Sequence, residues 1–190
     1  KDIYFNLDFK VLQDINPDRV FEFMDKFGLD SGINLRKMLQ VILRTKMKIS
    51  DCTFSELYQF TKKDVMITGT CLTETKCHVF SKDNTPDMSI IDAIIISSSV
   101  PFIYQSHTYK DNLYVDGGIM DNYPIGLYDN TEEVLGFLVA SPIKEKRKID
   151  NIFNYSYSLM LCISQRYLEF YKEFYGKYTV ILETNNSAFN

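Results

Sequence analysis

The strongest candidate for chemistry is a carboxylate at the end of an apolar strand, in Leu113-Tyr114-Val115-Asp116-Gly117-Gly118. Gly117 and Gly118 can take backbone conformations closed to other residues and let another group approach the chain. An aspartate so placed can be desolvated and aimed at a neighbour, as a general base requires. The same string also arises where a strand simply runs into a turn. Just downstream, Asn122-Tyr123-Pro124 reads as a turn held by an Asx side chain, and Asn122 is a candidate for orienting Asp116. Ser97, Ser98 and Ser99 have no base nearby in sequence; three hydroxyls at a helix end normally bond its last carbonyls.

Imidazole chemistry has only two candidates, His78 and His107. Neither has a carboxylate cluster beside it in sequence, so no metal site is expected. The four cysteines, Cys52, Cys71, Cys77 and Cys162, lack CxxC spacing and read as free, buried thiols. Lys144-Glu145-Lys146-Arg147-Lys148 is a basic run that reads first as a solvated loop. Its alternative is contact with anionic headgroups, worth ~1 kcal/mol per basic residue near a membrane. The aromatics that follow it, among them Tyr155, Tyr167, Phe170, Tyr171 and Phe174, suit a water–lipid interface. Packing of a helix on a sheet explains Leu159, Ile163 and Phe170 equally well.

These residues need elements to hold them. Asn16-Pro17 opens a helix carrying Val20, Phe21, Met24 and Phe27 on one face, and Gly28 should end it. Leu35, Met38, Leu39, Ile42 and Leu43 keep helical spacing after Ser31-Gly32. Thr53-Phe54-Ser55-Glu56 is a capping box. Val65 to Thr70 and Cys77 to Phe80 read as strands around a polar turn, the first buried on both faces. Ser89 caps a helix that stops before Pro101. Thr108-Tyr109 and Leu113-Tyr114-Val115 form a hairpin, and His107 falls in the loop before it. Val134 to Ala140 is a core strand, Ile152 to Tyr175 a long aromatic helix, and Thr179 to Leu182 a last strand.

Helices alternating with buried strands predict an α/β fold, with a mostly parallel central sheet covered by helices on both faces. The 190 residues show no repeat or linker, so a single domain over 1–190 is expected. With 45% hydrophobic and 24% charged residues the composition is that of a globular chain. A net charge of −4 argues against a nucleic-acid partner. The longest aliphatic run, Ala93 to Ile96, is far short of a bilayer span, and no basic-then-apolar leader opens the chain.

In order and spacing, several blocks resemble the patatin-like phospholipase family. They are Gly28-Leu29-Asp30-Ser31-Gly32-Ile33-Asn34-Leu35, Ile67-Thr68-Gly69-Thr70-Cys71-Leu72-Thr73, Ser97-Ser98-Ser99-Val100-Pro101, and Asp116-Gly117-Gly118 followed by Asn122-Tyr123-Pro124. The resemblance runs from about residue 14 to about 140; the helix and strand of 150–190 stand outside it. It implies a patatin-like α/β fold and hydrolysis of acyl-lipid esters by a Ser–Asp dyad, with Asp116 as the catalytic aspartate and Gly117, Gly118 and Asn122 supporting it. It implies no cofactor, and no calcium loop of the EF-hand kind occurs in the sequence. The implied partners are a phospholipid or other acyl lipid and a membrane surface touched transiently, in a cytoplasmic protein.

The sequence departs from that family in one respect. No serine here stands in Gly-x-Ser-x-Gly; Gly28-Leu29-Asp30-Ser31-Gly32 has its serine one place late. In the family the nucleophile elbow and a glycine-rich oxyanion loop precede the region matched. The chain therefore reads as a patatin-like domain incomplete at its N-terminal side, holding the base without the nucleophile. A non-catalytic lipid-binding or scaffold domain is the alternative reading.

Overall fold

Most helix starts follow local rules. Thr53 caps helix α3 (Phe54–Thr61) with a complete capping box: its hydroxyl accepts the Glu56 N–H at 3.2 Å, and Glu56 accepts the Thr53 N–H at 2.8 Å. Ser89 caps α4 (Ile90–Ser97) through the Asp92 N–H at 3.1 Å. The computed structural model describes residues 14, 20–128, 133–140, 146 and 148–183; the Asn16-Pro17 cap and most of the basic run 144–148 lie outside them. The chain divides into two units, Lys1–Met120 and Asp121–Asn190.

In the first unit α1 (Val20–Lys26) precedes a strand that the sequence pattern did not predict, β1 (Gly28–Asp30). Phe27, at φ 59°, takes the left-handed position expected of Gly28. Gly28 is needed for a different reason: it pairs with β4 (Phe102–Tyr104) in parallel, and a β-carbon there would lie 2.5 Å from Gln105 N. Asp30, 1% exposed, ties the following turn by accepting the Gly32 N–H at 2.8 Å and the Asp14 N–H at 2.7 Å. Gly32, at φ 72°, then starts α2 (Ile33–Met47). Arg36 of α2 pairs with Asp92 of α4 at 2.5 Å.

The main sheet has the order β3-β2-β6-β5, from β2 (Ile67–Cys71), β3 (Lys76–Phe80), β5 (His107–Tyr109) and β6 (Asn112–Asp116). All of its pairings are antiparallel, which corrects the expectation of a mostly parallel sheet. Among the described residues parallel pairing is confined to β1–β4 and, in the second unit, β7–β8. A strand buried on both faces suits a parallel sheet, but β2 reaches that state because helix α4 packs on it and the turn at Gly117–Ile119 lies against Thr68 and Thr70. The α4 residues Ile91, Ala93, Ile95 and Ile96 are buried, and Ile96 joins Phe54, Cys71, Phe80, Met88 and Tyr114 in one core. His107, expected in a loop, is the first residue of β5.

The second unit is a strand–helix–strand arrangement: β7 (Gly136–Ala140), α5 (Ile152–Tyr175) and β8 (Thr179–Glu183), with β7 and β8 parallel. β7 alternates strictly, with Leu138 and Ala140 buried and Phe137 and Val139 exposed. Its inner cluster joins Tyr123, Ile125, Leu138 and Tyr171, with Tyr167, Leu168 and Tyr175 packed against it. Leu159, Ile163 and Phe170, which sheet packing would have covered, instead line an exposed stripe of α5 with Tyr155 and Phe174. The large tyrosines of the opposite side fill the interior in their place.

Candidate functional site

Asp116 ends β6, and its position follows from where pairing stops. Strand β5 reaches only to the His107–Tyr114 pair, so beyond Tyr114 that edge of β6 has no strand beside it among the described residues. The Asp116 N–H donates instead to the Ser99 carbonyl at 2.9 Å, just past α4. On the other edge Asp116 pairs with Gly69, and Thr70 Oγ1 donates to the Asp116 carbonyl at 2.8 Å. Ser99 is itself locked, since its hydroxyl donates to the Ile95 carbonyl at 2.6 Å. Ser99 thus closes the helix end through its hydroxyl, as the sequence pattern implied, and its backbone carbonyl holds the strand end.

Register determines what surrounds the carboxylate. Gly69, Cys71, Phe80, Tyr114 and Asp116 share one face of the sheet, because directly paired residues and residues two apart point the same way. Gly69 places no side chain beside Asp116; a β-carbon there would come within 2.6 Å of the Phe80 ring. Gly117 lies against Thr68, and a β-carbon on it would sit 2.5 Å from Thr68 Oγ1. These two glycines serve close approach rather than unusual torsion, and Gly117 opens a short 3-10 turn, Gly117–Ile119.

The Asp116 side chain accepts the Gly118 N–H on Oδ1 at 2.7 Å; Oδ2 has no hydrogen-bond partner among the described residues. Burial raises its proton affinity, and the Gly118 N–H opposes this only in part. The carboxyl is pushed from 3.8 up to about 6. A carboxylate with one oxygen anchored, the other open, and a proton affinity near neutrality has the properties of a general base.

His107 is different. Burial, reinforced by Arg36, lowers its pKa, and its Nε2 is buried without a hydrogen-bond partner among the described residues. Asn122 lies in the second unit and is exposed. The Asx bond foreseen at this turn is made by its neighbour: Asp121 Oδ1 accepts the Tyr123 N–H at 3.2 Å and the Tyr171 hydroxyl at 2.9 Å. Thr68, Thr70 and Ser99 support the Asp116–Gly117 strand end through contacts far apart in sequence, which spacing alone does not reveal.

His78 is not isolated either. Its Nδ1 lies 2.9 Å from the Tyr114 hydroxyl and its Nε2 3.2 Å from Glu74 Oε2. Donor atoms of Cys71, Glu74 and His78 all lie within 4.8 Å of one another. No carboxylate cluster was expected near His78; the signal available was Glu74 four residues earlier, across a tight turn. Of the cysteines, Cys52 and Cys71 are buried as expected, whereas Cys162 is exposed. Among the described residues no helix is long and apolar enough to cross a membrane.

The chain has relatives among known proteins. A family model described as patatin-like phospholipase matches residues 1–128. An uncharacterised protein of Acanthamoeba polyphaga mimivirus is 31% identical over 171 residues, covering 86% of this chain and 56% of that protein. A protein of Invertebrate iridescent virus 6 named "Probable lipid hydrolase 463L" is 31% identical over 115 residues, 60% of this chain and 40% of that protein. The chain thus spans about half the length of these relatives. The crystal structure of VipD from Legionella pneumophila matches with a TM-score of 0.49 at 18% identity, over 74% of this chain and 32% of that one.

Proposed function

Because the chain belongs to the patatin-like phospholipase family, we propose that it is the base-bearing part of a lipid acyl hydrolase, with Asp116 as the base of a Ser–Asp dyad. The observation that carries this reading is the Asp116 carboxylate itself: it stands at a strand end, anchored through one oxygen only, with its proton affinity raised by burial to about 6. A serine hydroxyl is a poor nucleophile until a base removes its proton. Asp116 takes that proton as the hydroxyl attacks the acyl carbonyl, and returns it to the leaving alcohol as the acyl-enzyme forms. Water then repeats the sequence to release the fatty acid. The dyad needs a serine nucleophile, which none of the serines of this chain offers in a Gly-x-Ser-x-Gly setting.

The substrate class proposed is a phospholipid or other acyl ester, met at a membrane surface. Support for peripheral contact comes from the exposed stripe of Tyr155, Leu159, Ile163, Phe170 and Phe174 on α5. The second reading, a lipid-binding domain without catalysis, is favoured by the absence of a Gly-x-Ser-x-Gly serine from these 190 residues.

The test is made on the full-length polypeptide, with acyl-ester hydrolysis and covalent labelling by a fluorophosphonate as readouts. Asp116→Asn should lower turnover by ~10²–10⁴-fold without loss of fold. Near-normal turnover by that variant refutes the dyad. A native protein with neither hydrolysis nor a labelled serine supports the binding-domain reading.

A further inference from the structure

We propose that Cys71, Glu74 and His78 form a binding site for a zinc-class divalent cation at the β2–β3 hairpin. Antiparallel register puts Gly69 opposite His78 and Cys71 opposite Lys76, so the Cys71 and His78 side chains are diagonal neighbours on one face. The intervening turn, with Thr75 at φ 56°, returns Glu74 over the same face. Its Oε2 then lies 3.2 Å from His78 Nε2, and the donor atoms of all three residues are within 4.8 Å of one another. Tetrahedral zinc with bonds of about 2.0–2.3 Å needs its ligand atoms about 3.3–3.8 Å apart. The most widely spaced pair therefore has to contract by at most roughly 1–1.5 Å, within reach of side-chain torsions.

Two further contacts set the ligands as a metal site requires. The Tyr114 hydroxyl, 2.9 Å from His78 Nδ1, fixes the ring; in the Nδ1–H tautomer it accepts from Nδ1, and Nε2, which faces Glu74, is the atom that binds the ion. Asn112 Nδ2 donates to Glu74 Oε1 at 3.0 Å and holds the carboxylate, leaving Oε2 toward the ion. A thiolate, an imidazole and a carboxylate together select zinc or cobalt over magnesium or calcium, which want all-oxygen ligands. Binding displaces the Cys71 thiol proton to solvent. Cys71 is buried while Glu74 is exposed, so the ion enters from the turn side, and water completes its coordination. This site is independent of Asp116 and of the hydrolase reading.

The experiment is anaerobic titration with cobalt(II) of the zinc-free, phosphine-reduced protein. Cys52→Ala, Cys77→Ser and Cys162→Ser are introduced first, so that Cys71 is the one thiol left for the spectrum to detect. One equivalent should produce thiolate-to-cobalt charge transfer and visible d–d bands, bleached by one equivalent of zinc. His78→Gln and Glu74→Gln should weaken binding by at least ~10-fold, and Asn112→Ala by ~10-fold, while far-UV circular dichroism stays native. The ligand variants are confined to the turn side of the site, because Cys71 sits in the core and its replacement would perturb folding as well as binding. No charge-transfer band in the folded protein, or an affinity untouched by His78→Gln, overturns the site and leaves Glu74 and His78 as a plain hydrogen-bonded pair.

Discussion

Replacing Asp116 by asparagine should stabilise the fold, and only above acidic pH. The carboxyl titrates near 3.8 when exposed and near 6 in the folded chain. Below pH ~4 it is protonated in both states, and its burial costs no charge. As the pH rises from about 4 to about 6 the unfolded chain releases its proton first, so the unfolded state gains and stability falls. Above about 6 both forms are ionised and the loss is complete. A difference of about two pH units at ~1.4 kcal/mol each amounts to about 3 kcal/mol, reduced to ~1–3 by the partial solvent access of the side chain. Asparagine retains an oxygen for the Gly118 N–H but carries no charge to desolvate. The assay is urea unfolding followed by far-UV circular dichroism at pH 4, 5, 6, 7 and 8, comparing variant with parent. Any fixed cost of the amide is the same at every pH. The variant's advantage should therefore grow by ~1–3 kcal/mol between pH 4 and pH 8, with most of the change below pH 7. Curves that stay parallel within about 0.5 kcal/mol would mean an ordinary carboxylate, and the case for Asp116 as a base would fall with the stability argument.

Gly117→Ala should destabilise the first unit by about 1–3 kcal/mol, because the new methyl would meet the Thr68 hydroxyl at 2.5 Å and its carbonyl carbon at 2.7 Å; a lowered urea midpoint with unchanged m-value is the signature. Thr53→Ala leaves the Glu56 N–H without its cap and should lose about 1 kcal/mol by the same measurement, with Thr53→Ser recovering most of it.

Features determined over a few residues were legible in the sequence itself. The capping box at Thr53, the Ser89 cap, the Lys110 hairpin and the carboxylate closing an apolar strand before two glycines all depend on spacings of one to four residues. Local chemistry settles them before any packing occurs. The ordered blocks around Asp116 also sufficed for the family resemblance, and the family match over residues 1–128 agrees with it. Outside the two hairpins strand direction was not legible: that β6 runs antiparallel to β2 is not encoded in side-chain alternation, which reports burial and says nothing about which way a neighbouring strand runs. The three-residue strands β1 and β4 are too short to show any period; their pairing rests on Gly28 meeting the Tyr104–Gln105 backbone. On α5 aromatic residues occur on every side, and only packing decided that Tyr171 goes inward and Phe174 outward. The proton affinity of Asp116 belongs to the tertiary structure as well. It depends on desolvation at the end of β6, where Ser99, Gly69 and Thr70 hold the strand end, and a carboxylate's charge is felt through space, not along the chain.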